Sequence, residues 1–575
     1  MNLPNRMQWL YARKLTVACA VYLTAPSVYA LPIDIRNDDI SVRWDNTLKY
    51  SLGMRTKNPS GTLTEDTPAP ADGAAGPSAL NADDGDRSFK RGDLISNRVD
   101  ILSELDVVSQ QGYGFRVSGA AWYDDVYHQS NDNDSSTTAN STSTSSSHFT
   151  SDTRKLHGGT GELLDAFMFG GIDIGETRLT GRLGRHTVLW GESLYFSSNS
   201  IAGLQSPVDS VKASSVPGST TKELVRPVGQ LSGQWQLTPD VSLIGYYQYE
   251  WERTRLPGAG SYFSTSDVLD EGGERIRASA GEPGDGYARG HDQTAKDNGQ
   301  FGIGLKTRFD NVDVGVYALR YHAKTPAVYL HPGMASSDPL ARLGLYELVY
   351  PEDIKAFGIS ATTTVGQINY AAEVSIRRDT PLTSNSQVIL PGGIADNDKH
   401  PYYAVGNSAH AQLSALWTMS RNFLSDEPSL NAEVAWNRMT SCDKNCTPST
   451  ASNFRPNGAL DPNANRDAYA FRFTFAIPQR SVLDGLDLTP SVTASYAHGK
   501  SSVAQLGPDR GGDMTLSLAA NYLAVWDLTA AYTHYYGAEM TSSYSSTQRS
   551  LNGTSSYQQA LKDRDFVSLS LKRTF

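Results

Sequence analysis

The 575-residue sequence holds only three cysteines, and beyond residue 30 no apolar stretch approaches the roughly 20 residues that a membrane helix needs. A helical membrane protein is thereby excluded. Cys19 lies near the start, and the other two, Cys442 and Cys446, stand close together between Ser441 and Thr447 with no further soft metal ligand nearby. In an exported chain that pair reads as a loop disulfide. Basic charge is also short, with 50 Lys+Arg against 61 Asp+Glu and a net charge of -11. Such a surface repels phosphate backbones, so no nucleic-acid partner is expected.

Catalytic signatures are missing as well. His157-Gly158-Gly159 has the form of an oxyanion segment, but it follows a low-complexity stretch and no Gly-x-Ser-x-Gly elbow accompanies it. Asp124, Asp125 and His128 offer acid/base groups without a second pair to work with. His498-Gly499-Lys500-Ser501 resembles the end of a phosphate loop, yet Ala494 stands where its first glycine belongs. The acidic runs Asp83-Asp84-Gly85-Asp86 and Asn131-Asp132-Asn133-Asp134 supply oxygen ligands but do not continue to the bidentate Glu of a defined calcium loop. Catalytic residues, metals and cofactors are therefore not expected.

What is there begins with a secretory leader at 1–30. Arg6, Arg13 and Lys14 precede an apolar run from Leu15 to Leu23, and Val28-Tyr29-Ala30 forms a small-residue cleavage site. Its removal takes away three basic residues and no acidic ones, leaving 47 Lys+Arg against 61 Asp+Glu, a charge of -14. Cys19 lacks the aliphatic residue that lipid attachment needs upstream.

The remainder, 31–575, recurs in runs of alternating apolar and polar residues, the mark of strands with one face in each solvent. Tyr469, Phe471, Phe473, Phe475 and Ile477 share one face, with Ala470, Arg472, Thr474 and Ala476 on the other. The pattern repeats near 40–55, 96–109, 113–127, 162–174, 177–190, 227–237, 240–253, 299–309, 312–323, 354–364, 367–378, 407–420, 429–440, 486–496, 514–522, 525–537 and 563–575. Short links rich in turn formers, such as Thr238-Pro239-Asp240 and Val365-Gly366, alternate with long polar segments such as 56–95, 128–160 and 254–298.

This pattern predicts an all-β protein: a transmembrane antiparallel β-barrel of about eighteen strands, within a range of sixteen to twenty, with short periplasmic turns and long extracellular loops. Trp122, Tyr123, Tyr127, Tyr249, Trp251, Tyr535 and Tyr536 are expected in an interfacial girdle. Charges of both signs fall on the opposite face and predict a water-filled lumen: Asp100, Glu104, Asp106, Arg178, Arg182, Lys306, Arg308, Glu373, Arg377, Glu433 and Arg472. Residues 191–226 break the alternation and mix apolar with charged groups, so this segment is expected to fold inward as a constriction or plug. Arg185, His186, Glu192, Asp209, Lys212 and Glu223 are its candidate pore-narrowing residues. The final strand, ending at Phe575, resembles the signal read by the barrel-assembly machinery, with Arg573 departing from its usual apolar residue.

Several stretches resemble the proteobacterial outer-membrane family called domain of unknown function 1302. They are Gly92-Asp93-Leu94 with Asn97-Arg98-Val99-Asp100, Glu162-Leu163-Leu164-Asp165-Ala166-Phe167, Gly184-Arg185-His186-Thr187-Val188-Leu189-Trp190-Gly191-Glu192-Ser193, Pro207-Val208-Asp209 and Glu223-Leu224-Val225-Arg226-Pro227. The resemblance implies a barrel linked with the handling of hydrophobic compounds and with inner-membrane exporters of the resistance-nodulation-division type. The family has no established catalytic residues to carry over. The sequence therefore points to passive, porin-like passage of small, hydrophobic or aromatic organic solutes, with outer-membrane lipid and lipopolysaccharide, the assembly machinery and an inner-membrane exporter as partners. The competing expectations are an exporter's outer-membrane partner or surface-binding barrel without open conductance, and, further off, an outer-membrane hydrolase.

Overall fold

Each alternating run becomes a strand, and the alternation fixes which side faces the inside. The computed structural model describes residues 31–33, 39–64, 76–77, 80–219, 221–277, 286–447, 459–540, 543–544 and 557–575. The leader expected at 1–30 lies outside the described residues. The wall strands are β1 (Ile40–Arg55), β2 (Leu94–Ser109), β3 (Gly114–Asp124), β4 (Gly159–Ile174), β5 (Thr177–His186) and β6 (Val228–Thr238). They continue with β7 (Val241–Gln248), β8 (Gln300–Phe309), β9 (Val312–Tyr321), β10 (Ile354–Val365), β11 (Ile368–Pro381) and β12 (Val405–Thr418). The last six are β13 (Ser429–Lys444), β14 (Asp467–Ala476), β15 (Leu486–His498), β16 (Gly512–Tyr522), β17 (Trp526–Tyr536) and β18 (Phe566–Thr574). The sheet contains 20 strands, of which the short pieces Leu31–Pro32 and Gln479–Leu483 only flank their neighbours. The other 18 pair antiparallel in chain order, and β18 closes on β1 from Thr47 opposite Thr574 to Arg55 opposite Phe566. Closure leaves no unpaired edge, which a lipid environment demands.

The two ends of the barrel differ. At one end, tight turns join β8 to β9 and β10 to β11, where Asp310 and Gly366 take the positive φ angles (52° and 62°) that match the twist of a two-residue hairpin. At the other end lie the long segments, three of which build a second sheet from Arg275–Arg277, Gly286–Arg289, Ala327–Pro332, Gly344–Val349 and Gln387–Val388 around Tyr346, Leu348 and Tyr350. Cys442 and Cys446 are bonded there, with Cα atoms 5.7 Å apart. No helix among the described residues is long and apolar enough to cross a membrane.

Parity sorts the side chains. Leu179, Leu183, Leu231, Ile303, Val316, Ile359, Val374, Val434 and Leu569 stand exposed on the outer face, while Glu104, Glu373, Arg377, His410 and Glu433 are buried on the inner one. The aromatic girdle holds only in part. Tyr123 and Tyr249 are outward and exposed, but Trp122 and Tyr127 are buried. Trp122 shares its parity with Ser118 and Asp124 on the inner face, and Tyr127 packs with Phe89, Phe149 and Tyr262 among the loops. Trp251 and Tyr535 also pack against loop clusters. At the C-terminus, Phe575 exchanges backbone hydrogen bonds with Asn46 at 2.8 and 2.9 Å, and Arg573 lays its guanidinium over Trp526.

Candidate functional site

Between β5 and β6, residues 187–227 lose the period-2 pattern and form short helical turns instead, including Ala202–Gln205 and Ser210–Ser215. The apolar part of this segment has a destination. Val188, Trp190, Ile201 and Leu204 pack on the inward Ile244, Tyr246, Tyr317, Leu319 and Ala356 of the wall. Trp190 lies edge-on to Tyr246, with centroids 4.9 Å apart. Gly302 makes room for it, since a Cβ there would come 2.9 Å from the indole.

Backbone donors in a segment without regular ladders need acceptors, and the wall supplies two carboxylates. Glu373 accepts the Glu192 N–H at 2.8 Å and the Ile201 N–H at 2.7 Å. Glu433 accepts from Leu194 at 3.1 Å, from Tyr195, and from Phe196 at 2.9 Å. Arg377 donates to the Ser198 carbonyl at 2.9 Å. His410 and Asn437 hold the Asn199 amide, and Tyr195 donates its hydroxyl to Thr474 at 2.9 Å. On the way back, Lys324 donates to the Leu204 carbonyl at 2.8 Å and Gln248 to the Gln205 carbonyl at 2.7 Å.

The second half turns to the opposite wall. Asp209 caps the turn at Ser210–Ser215 by accepting from Lys212 N–H, and it pairs with Arg255 at 2.6 Å. Lys212 and Arg255 both reach Glu162, at 3.3 and 2.7 Å. With Arg98 they bring three cations over the Trp122 ring, at 4.9, 5.6 and 5.0 Å from its centroid for Lys212, Arg255 and Arg98. Glu223 meets Lys49 at 3.3 Å, and Lys222 pairs with Glu104. Residues 187–227 thus touch inner faces from β1 to β14.

All six expected narrowing residues lie on or against this segment. His186 is inward and buried, bonded to Ser232 at 2.7 Å and set against Phe167. Arg185 is different. One position from His186, it falls on the outer parity with Leu179 and Leu183, where it pairs with Glu250 and the Pro227 carbonyl. It is therefore corrected from a lumen charge to a charge on the outer register at the long-loop end.

Among the expected lumen charges, Arg178 pairs with Asp173 near the turns and Arg182 lies over Phe167. Arg472 pairs with Asp513 and reaches the Tyr195 ring. Arg116 gathers Glu104 and Asp106, while Asp100 pairs with Arg98. Below the segment, Glu192, Asp240, Lys306, Arg308 and Asp313 face a cavity of about 470 Å³ that Tyr317 and Ser360 also line. Tyr195, Asn199, Lys324, His410, Gln412 and Asn437 were not singled out from the sequence. Inward parity marks the last three, but nothing local marks the others.

The groups weighed as catalytic have structural work. Asp124 accepts from Ser96, Asn97 and Val126, and His128 bonds the Gly158 carbonyl. His157 accepts the Gly258 N–H at 3.0 Å, and burial pulls its ring down to about 3, so it is neutral.

Among solved structures, the chain is similar to OccAB1 of Acinetobacter baumannii, with 10% identity over 93% of this chain and 96% of that one and a TM-score of 0.41. It is also similar to a BenF-like porin from Pseudomonas fluorescens Pf-5, with 8% identity, 93% and 98% coverage and a TM-score of 0.39. Pseudomonas aeruginosa OccK2 (OpdF), solved in complex with glucuronate, shows 10% identity, 93% and 97% coverage and a TM-score of 0.36. No curated protein matches the chain. A family model described as protein of unknown function (DUF1302) matches residues 11–575, nearly its whole length, and the chain belongs to that family.

Proposed function

We propose that this protein is a passive outer-membrane channel for small organic solutes, narrowed by residues 187–227. The observation that carries the proposal is a closed wall, apolar outside and charged inside, with that segment hydrogen-bonded to Glu373 and Glu433 across the interior. Glu192, Asp240 and Asp313 oppose Lys306 and Arg308 along the cavity beneath it. Opposed acidic and basic groups orient a polar or zwitterionic solute in a pore. The family resemblance favours small hydrophobic or aromatic organic solutes. The long loops would face the medium and lipopolysaccharide, and the C-terminal strand would serve the assembly machinery. No catalytic step is part of the proposal.

The extent of the segment's contacts favours a second reading, a barrel closed at rest that acts as an exporter's outer-membrane partner. Single-channel conductance of the refolded full-length protein separates the two. A porin gives steady conductance whose cation/anion preference moves toward cations in Lys306→Ala and is unmoved in Arg185→Ala. Silence from a folded barrel rejects the open channel and favours the closed partner.

A further inference from the structure

Three buried carboxylates meet among the long loops, away from the segment inside the barrel. Asp83 and Asp84 stand at the start of the helical turn Asp84–Arg87, and Asp267 comes from the loop between β7 and β8. Each offers an oxygen, and these oxygens lie within 4.8 Å of one another. A second feature singles out Asp267. It is fully enclosed, its Oδ2 accepts the Asp84 N–H at 3.2 Å, and its Oδ1 has no hydrogen-bond partner.

The ion pairs nearby leave Asp84 and Asp267 out. Asp83 pairs with Arg87, and the nearby Asp86 pairs with Arg55 and Arg564. Asp84 is held instead by neutral donors, Asn133 Nδ2 at 2.9 Å and the Asn140 N–H at 3.0 Å. Among the described residues neither Asp84 nor Asp267 forms an ion pair, although the Arg87 and Arg277 guanidiniums act on Asp84 from a distance.

We propose that Asp83, Asp84 and Asp267 hold a divalent cation, Ca²⁺, that ties two long loops together. Ca²⁺ is taken up by cages of protein carboxylates and carbonyls, whereas Mg²⁺ keeps several of its waters. A fully buried set of carboxylates therefore suits Ca²⁺. The loops are already brought close for this purpose. A Cβ on Gly85 would meet the Ser261 carbonyl at 2.5 Å, so only glycine lets the loop carrying Asp267 close on the turn. Asn133 belongs to the second acidic run of the sequence, and through Asp84 the structure joins it to the first.

The test uses full-length protein refolded in detergent without lipopolysaccharide, stripped with EDTA and titrated with CaCl₂ by calorimetry. The expected result is one saturable site, filled more tightly by Ca²⁺ than by Mg²⁺, together with slower protease cleavage of the long loops in Ca²⁺ than in EDTA. Asp267→Asn and Asp84→Asn, each checked as folded barrels by heat-modifiable gel mobility, should weaken binding at least tenfold. Absence of saturable binding by the wild-type protein overturns the site, as does binding by both variants at wild-type strength.

Discussion

Glu433→Gln should loosen the segment inside the barrel while leaving the wall intact. The Glu433 carboxylate is almost completely buried and receives three backbone N–H groups from Leu194, Tyr195 and Phe196. Hydrogen bonds to a charged acceptor contribute about 1.5–3 kcal/mol each. Glutamine keeps one oxygen but turns an NH₂ toward donors, so one or two of the three bonds are lost. The net cost is about 2–4 kcal/mol, which raises the undocked population by about 30- to 1,000-fold. Glu373 holds Glu192 and Ile201 in the same manner, so Glu373→Gln/Glu433→Gln should release both ends of the 192–201 stretch. The wall pairs through backbone ladders on both sides of each strand and does not depend on these side chains. Conductance in planar bilayers and amide exchange of residues 192–205 read the effect. Larger or noisier openings and faster exchange are expected, in the order wild type, single variant, double variant. A double variant that stays a folded barrel with wild-type exchange and conductance would refute the latch.

Two further outcomes follow from neighbouring contacts. Burial pulls the Lys324 ammonium from 10.5 down to about 7, and no acid pairs with it among the described residues. Keeping it charged in the folded state therefore costs up to about 5 kcal/mol below pH 7, less where solvent reaches it, and the cost fades as pH rises toward the unfolded value. Stability to urea should rise from pH 7 to 9.5 in the wild type and rise less in Lys324→Met; equal slopes would count against a buried charge. Trp190→Ala empties the space between Tyr246 and Tyr317, a loss of about 3–5 kcal/mol of docking energy. It should speed protease cleavage within 187–227 without changing barrel mobility on gels, and unchanged cleavage would show that the indole does not anchor the segment.

The wall was legible because its signal is local and repeated. A strand between two solvents must alternate, and every run read from the sequence corresponds to one of the 18 strands, often to within two residues. The break in alternation read at 191–226 marked the inward segment for the same reason, although the strand itself ends earlier, at His186. Its partners were not legible. Glu373 lies 181 positions from Glu192, and Glu433 lies 237 positions from Phe196. Only closure of the barrel brings them together, and no periodicity records that closure. The acidic runs at 83–86 and 131–134 were visible as ligands, but Asp267, from a third loop, carries no local signature.

The two kinds of misplacement share one cause, and it shows what to extract from such a sequence. Arg185 and Trp122 were assigned by residue type, a charge to the pore and an aromatic to the girdle. Parity assigns them the other way. Arg185 belongs with Leu179 and Leu183, and Trp122 with Ser118 and Asp124. In a barrel a shift of one residue exchanges lipid for lumen, so register outranks chemistry wherever a strand is still regular. Chemistry takes over where the register ends. An outward Arg survives at the rim because Glu250 and the Pro227 carbonyl satisfy it, and an inward Trp is tolerated because Lys212, Arg255 and Arg98 stack on its face. Each exception therefore marks a point where the wall meets the loops or the inner segment.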